Sequence, residues 1–83
     1  MAIKPIPLVT EEEYPNFRRL DRNDFPNTYY EWQSWRDRLR KEAASFDTVD
    51  VDVKAGEFSR YCAARKRDHT LHALLNFAEY EMR

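Results

Sequence analysis

Thr48-Val49-Asp50-Val51-Asp52-Val53 is the stretch on which the fold turns. Three valines alternate with Thr48, Asp50 and Asp52, the period-two pattern of a strand with one apolar and one polar face. A lone strand cannot satisfy its backbone donors and acceptors, so this one requires a partner. Two are available: the N-terminal arm, handicapped by its prolines, or the same strand of a second subunit. Downstream, the only glycine, Gly56, opens a helix of about ten residues that sets Phe58, Tyr61 and Cys62 on one side. Asp68, His69 and Thr70 form a break, with Thr70 the expected N-cap of a last helix.

That last helix is apolar over much of its circumference. Leu71, Leu74, Leu75, Ala78 and Met82 fill one face and Ala73, Phe77 and Tyr80 an adjacent one, leaving His72, Asn76 and Glu79 as a polar stripe. A helix apolar on two faces needs two surfaces to pack against. In a chain of 83 residues, the second is expected to be another subunit.

Upstream of the strand the chain reads as an extended arm, residues 1–9, and a helical part, residues 10–46. Pro5 and Pro7 lack amide donors and hold the arm extended. Thr10 and Glu13 have capping-box spacing and predict a short helix, with a kink or restart at Pro15 and apolar contacts from Phe17 and Leu20. Residues 21–27 are polar and read as a loop. Thr28 and Glu31 form a second capping box, and the helix it starts is expected to continue to about residue 46. Its core stripe is Trp32, Trp35, Leu39, Ala43 and Phe46, and Tyr30 falls on the opposite, exposed side. The expected class is therefore α+β and mainly helical: four short helices, a short strand at 48–53 and the arm. All belong to a single domain over 1–83, with 48–82 as its strand-helix-helix unit.

Composition narrows the function classes. Fourteen basic and fifteen acidic side chains give a net charge of −1, which argues against affinity built on neutralising many phosphates. A single cysteine, Cys62, excludes an internal disulfide and reads as a small core hydrophobe. His69 and His72 with Asp68 lack the further ligands of a zinc site, and one glycine cannot make a phosphate-cradling loop. No stretch approaches the roughly 20 apolar residues of a membrane span, and the expected compartment is the cytoplasm. Catalytic, metal and cofactor sites are expected to be absent. Charge is nevertheless unevenly placed: Arg60, Arg65, Lys66 and Arg67 stand together with no acid among them, a candidate partner-binding cluster to which exposed Tyr30 is added.

The order strand, helix, short turn, Thr-capped amphipathic helix over residues 48–82 resembles the ribbon-helix-helix family of dimeric DNA-binding proteins. The resemblance implies two such strands paired antiparallel, with Val49, Val51 and Val53 against the core, Phe58 and Tyr61 at first-helix core positions, and Leu71, Leu74, Leu75 and Ala78 building the dimer core. The expected dimer interface as a whole is Val49, Val51, Val53, Leu74, Phe77 and Tyr80. The resemblance also implies that Thr48, Asp50 and Asp52 face the DNA major groove, where carboxylates are mostly repelled. The leading expectation is thus a small non-enzymatic interaction or regulatory protein that binds a protein partner as a homodimer. The alternative is a nucleic-acid-binding regulator or antitoxin of that family's type, with Arg36, Arg38, Arg40 and Lys41 as further phosphate contacts.

Overall fold

The prolines of the arm lie where their missing amides cost nothing. In the computed structural model, which describes residues 3–82, the arm forms strand β1 (Ile3–Leu8) and pairs in parallel with β2 (Asp47–Asp52), Ile3 opposite Asp47 through Leu8 opposite Asp52. Met1 and Ala2, the first residues of the expected arm, and Arg83, the last residue of the expected domain, lie outside the described residues. In a parallel ladder each residue turns its N–H and C=O to the same side, and successive residues alternate. Val53 N–H donates to Leu8 O at 3.1 Å, so Leu8, Ile6 and Lys4 face β2. Pro7 O instead accepts from Arg36 Nε at 2.8 Å, on the outer side. Pro5 and Pro7 therefore occupy the outer edge, the place where a strand tolerates proline.

Between the strands run α1 (Tyr14–Arg18) and α2 (Tyr29–Glu42), and after them α3 (Ala55–Arg65) and α4 (Leu71–Glu81). The α+β, mainly helical class with four short helices is what the chain adopts. Helix α1 starts at Tyr14, later than the capping box suggested, and Pro15 sits in its first turn, where no amide is needed. Glu13 N–H does donate to Thr10 Oγ1 at 3.2 Å. The Glu13 carboxylate does not close the box. It accepts from Asn16 Nδ2 at 3.1 Å and from Ala55 N–H at 3.0 Å, and so caps α3, 42 residues away. Thr28 and Thr70 cap α2 and α4 by accepting from the amides of Glu31 and Ala73, both at 3.1 Å.

The Ala55 amide holds the Glu13 carboxyl below the ordinary carboxylate value, with Asn16 and Lys54 assisting and burial opposing. A lowered value in the folded state means stability that is present at neutral pH and lost as pH falls through that value. Glu13→Ala is expected to cost about 1 kcal/mol at pH 7. In urea melts the difference from wild type should shrink as pH falls through the lowered Glu13 value; a difference unchanged by acid would remove the capping role.

Helix α2 ends at Glu42, short of residue 46, because the chain must be extended by Asp47 to hold its register with Ile3. Ala43 N–H still reaches Leu39 O, but Phe46 N–H turns back onto Ala43 O, and the Phe46 side chain is 48% exposed. Phe46 is thus not in the core stripe; Trp32, Leu39 and Ala43 are buried and Trp35 is half-buried. The buried face of α2 carries Arg36 as well, only 4% exposed.

The core is aromatic. Phe58 is fully buried, its ring 5.8–6.1 Å from those of Phe17, Phe25, His69 and Phe77. The loop at 21–27 closes over it. Asn23 Nδ2 donates to Leu20 O and Arg18 O, and Asp24 Oδ1 accepts from Leu71 N–H at 2.7 Å at the start of α4. Cys62 is buried too, and desolvation raises its thiol pKa, which suits a packing role.

Helix α4 finds both of its packing surfaces within the chain. It packs on α3 and on β1. Leu74 and Phe77, expected at a subunit interface, are 0% and 4% exposed inside this core, and Val53 is 1% exposed. Phe77 packs on Phe58 and Tyr61 of α3, while β1 covers another side of α4, so the two elements together supply the surfaces for which the sequence suggested a partner subunit. The strand pairing likewise differs from the ribbon of the resemblance, being parallel and within one chain.

Candidate partner-binding surface

Exposed chemistry gathers on the two flanks of α4. On the β1 side lies an open groove of about 570 Å³ lined by Ile3, Pro5, Phe46, Leu75 and Met82, with Lys4, His72, Asn76 and Glu79 at its margins. Ile3, Phe46 and Met82 are 53%, 48% and 41% exposed. Val49, 41% exposed, is the strand neighbour of Pro5. Among the described residues, three of the six exposed large apolar side chains thus line one groove and Val49 is strand neighbour to a fourth lining residue, the others being Tyr30 and Tyr80. Its position follows from the fold: β1, the end of α2 and the last turn of α4 meet there.

On the α3 side of α4, Tyr61, Arg65, Arg67 and Tyr80 line a polar cleft that shares Asn76 and Glu79 with the groove. Arg60 lines the continuation of this cleft with Arg65. The Arg65 guanidinium lies 4.0 Å from the centre of the Tyr61 ring and 5.0 Å from that of Tyr80. The two rings meet edge-on at 5.4 Å. Stacking fixes an arginine while leaving its N–H edge available for a carboxylate. Among the described residues, Arg60, Arg65 and Arg67 form no ion pair with an acid.

Of the residues singled out in the sequence, Arg60, Arg65, Arg67 and Tyr80 are brought together here. Lys66 lines neither hollow. It has φ 54° and ψ 46°, the left-handed turn that ends α3 and lets Lys66 and Arg67 amides reach Ala63 O and Cys62 O. Tyr30 stands 80% exposed on α2 and lines neither surface. Val51 is half-buried on β2, where its exposed neighbour Val49 is the nearer to the groove.

Of the β2 residues that the resemblance turns toward DNA, Asp50 is held within the chain. Asp50 Oδ1 accepts from Arg36 Nη2 at 2.6 Å and from Arg40 Nη2 at 2.7 Å, and Asp52 lies 3.7 Å from Lys54. Arg36 and Arg40, offered as phosphate contacts, are thereby engaged inside the chain. Sequence reasoning missed the apolar groove, because Ile3, Phe46 and Met82 lie far apart in the chain. Arg36 carried a signal: four residues after Trp32 and three before Leu39, it falls on the buried face.

Among the described residues no cluster of metal-ligating side chains occurs, and no helix is long and apolar enough to cross a membrane. Set against known proteins, the chain matches no family model, no curated protein and no solved structure.

Proposed function

We propose that this chain is a small, cytoplasmic, non-enzymatic interaction protein that acts by binding a protein partner. The observation that carries the reading is the adjacency of the apolar groove and the arginine–tyrosine cleft across α4. Tyrosine, arginine and methionine beside exposed aliphatic surface are the composition of protein-binding hot spots. A nucleic-acid surface is less well supported, since Glu57, Glu79 and Glu81 line the same cleft and the net charge is −1.

Affinity capture with the tagged chain at low salt tests it. A stoichiometric protein partner is expected with wild type and is expected to be lost with Arg65→Glu, which leaves the core untouched. If no protein is recovered while a duplex DNA or RNA probe shifts at about 50 mM salt, the regulator reading replaces this one.

Homodimerisation is the accompanying proposal, favoured by the second edge of β2. That strand is exposed along almost its whole length and, among the described residues, pairs on one side with β1 and with no other strand. By the alternation of the ladder, the amides of Thr48, Asp50 and Asp52 point to the open side. Light scattering at micromolar concentration is expected to give twice the chain mass of 10.1 kDa. Thr48→Pro, which removes an outward amide, is expected to return a folded monomer whose melting temperature no longer depends on protein concentration. A wild-type monomer would end the proposal.

A further inference from the structure

The two edges of the sheet are finished differently. The outer edge of β1 carries Pro5 and Pro7, which have no amide, and Pro7 O accepts from Arg36 Nε at 2.8 Å. The outer edge of β2 has no proline, and the amides of Thr48, Asp50 and Asp52 point away from β1. Charged side chains commonly guard such an edge against pairing. Here the guard is drawn back into the chain: Asp50 is held by Arg36 and Arg40 at 2.6 and 2.7 Å, and Asp52 lies 3.7 Å from Lys54.

Resting on the homodimer reading, we infer that two copies pair antiparallel through β2 with Val49 on the two-fold axis, and that this register joins their apolar grooves into one binding surface. Charge selects among the registers that pair most of the strand. With Asp50 on the axis its carboxylate opposes its own copy, and with Val51 there Asp50 opposes Asp52. Like charges directly opposite weaken a ladder. With Val49 on the axis, Thr48 opposes Asp50, Asp47 opposes Val51 and Val49 opposes itself, so no carboxylate of the strand faces another. A strand that is complementary to itself when reversed fits a second copy of this chain.

The same register decides what happens to the groove. Residues paired across a sheet point to one face, and Val49 is paired with Pro5, a wall of the groove. An axis at Val49 therefore sets Pro5, Val49, the partner's Val49 and the partner's Pro5 in one row, about 14 Å long at the usual strand spacing. An axis at Asp50 would end that row on buried Pro7 instead. Each groove thus opens onto a valine supplied by the other copy, and a protein partner lies across the dimer.

Oxidative cross-linking of the full chain tests the register. Val49→Cys is expected to give a disulfide-linked dimer, because opposed residues of a non-hydrogen-bonded antiparallel pair have Cα atoms about 4.5 Å apart, within disulfide reach. Val51→Cys should cross-link only when mixed with Asp47→Cys, and wild type, whose Cys62 is buried, should not cross-link. Asp47 and Val49 are exposed, so unchanged thermal melts verify folding of those variants. Cross-linking of Val51→Cys alone, or of Val49→Cys only when mixed with Val51→Cys, would place the axis elsewhere and overturn the inference. The joined surface has a separate readout. A protein captured by wild type is expected to be lost with Thr48→Pro, although the monomer keeps its own groove; its retention would show that one groove suffices and overturn the joined site. A dimer that fails to cross-link at Val49 sinks the inference and leaves the homodimer reading in place, whereas a wild-type monomer sinks that reading itself.

Discussion

Phe58→Ala is expected to leave the chain unfolded or barely folded at 25 °C. The ring is fully buried and joins α1, the 21–27 loop, the α3–α4 turn and α4 through Phe17, Phe25, His69 and Phe77. Truncating a buried phenylalanine costs about 3–5 kcal/mol, the cavity term being largest where neighbours cannot collapse. Four surrounding rings held by separate elements are poorly placed to collapse. A domain of this length has about 4–12 kcal/mol in total, so one substitution consumes much of it. Circular dichroism should show loss of the cooperative melt. A variant melting within about 5 °C of wild type would mean that this centre repacks readily.

Asp50→Ala is expected to cost about 3 kcal/mol, far more than a half-exposed strand aspartate normally would. The reason is its partner. Arg36 is 4% exposed, and losing Asp50 leaves a buried guanidinium with only the neutral acceptors Pro7 O and Gln33 Oε1. The Asp50 side chain is 42% exposed, which keeps the estimate at the lower end for a broken buried pair. Arg36→Met should be milder, and in its background Asp50→Ala should cost under about 1 kcal/mol, because no buried charge remains to be orphaned. Urea denaturation of the four proteins measures the cycle. Additive costs would show that Asp50 and Arg36 act separately and that the link between α2 and β2 lies elsewhere.

The same residues show where local reasoning succeeds. Thr28 and Thr70 cap α2 and α4 as their spacing suggests, since a cap is a bond within one turn. The valine alternation locates β2 to within one residue for a similar reason, the period being a property of the strand itself. Glu13 marks the limit. Its spacing from Thr10 fits a capping box, yet its carboxylate is taken by Ala55, a donor that only the folded chain brings near. Part of the candidate surface was visible in the same way. The cluster Arg60, Arg65, Lys66 and Arg67 could be read along one helix, but the stacking of Arg65 on Tyr80 requires α3 and α4 to meet. Ile3, Phe46 and Met82 share a groove only because three distant chain segments converge.

Sequence alone determined that this protein is mainly helical with a valine strand, that Thr28 and Thr70 cap α2 and α4, and that α4 is too apolar to face water on two sides. These follow from interactions spanning a few residues. Tertiary structure decided what meets the second face of α4 and what pairs with β2. β1 pairs with β2 and covers one side of α4, while α3 takes the side that carries Phe77. Two prolines argued against that arm as a strand, but parallel pairing turns their donor-less nitrogens to the outer edge and leaves the amides of Lys4, Ile6 and Leu8 for the ladder. A proline's cost depends on which side of the strand it occupies, and that side exists only after the strands have paired.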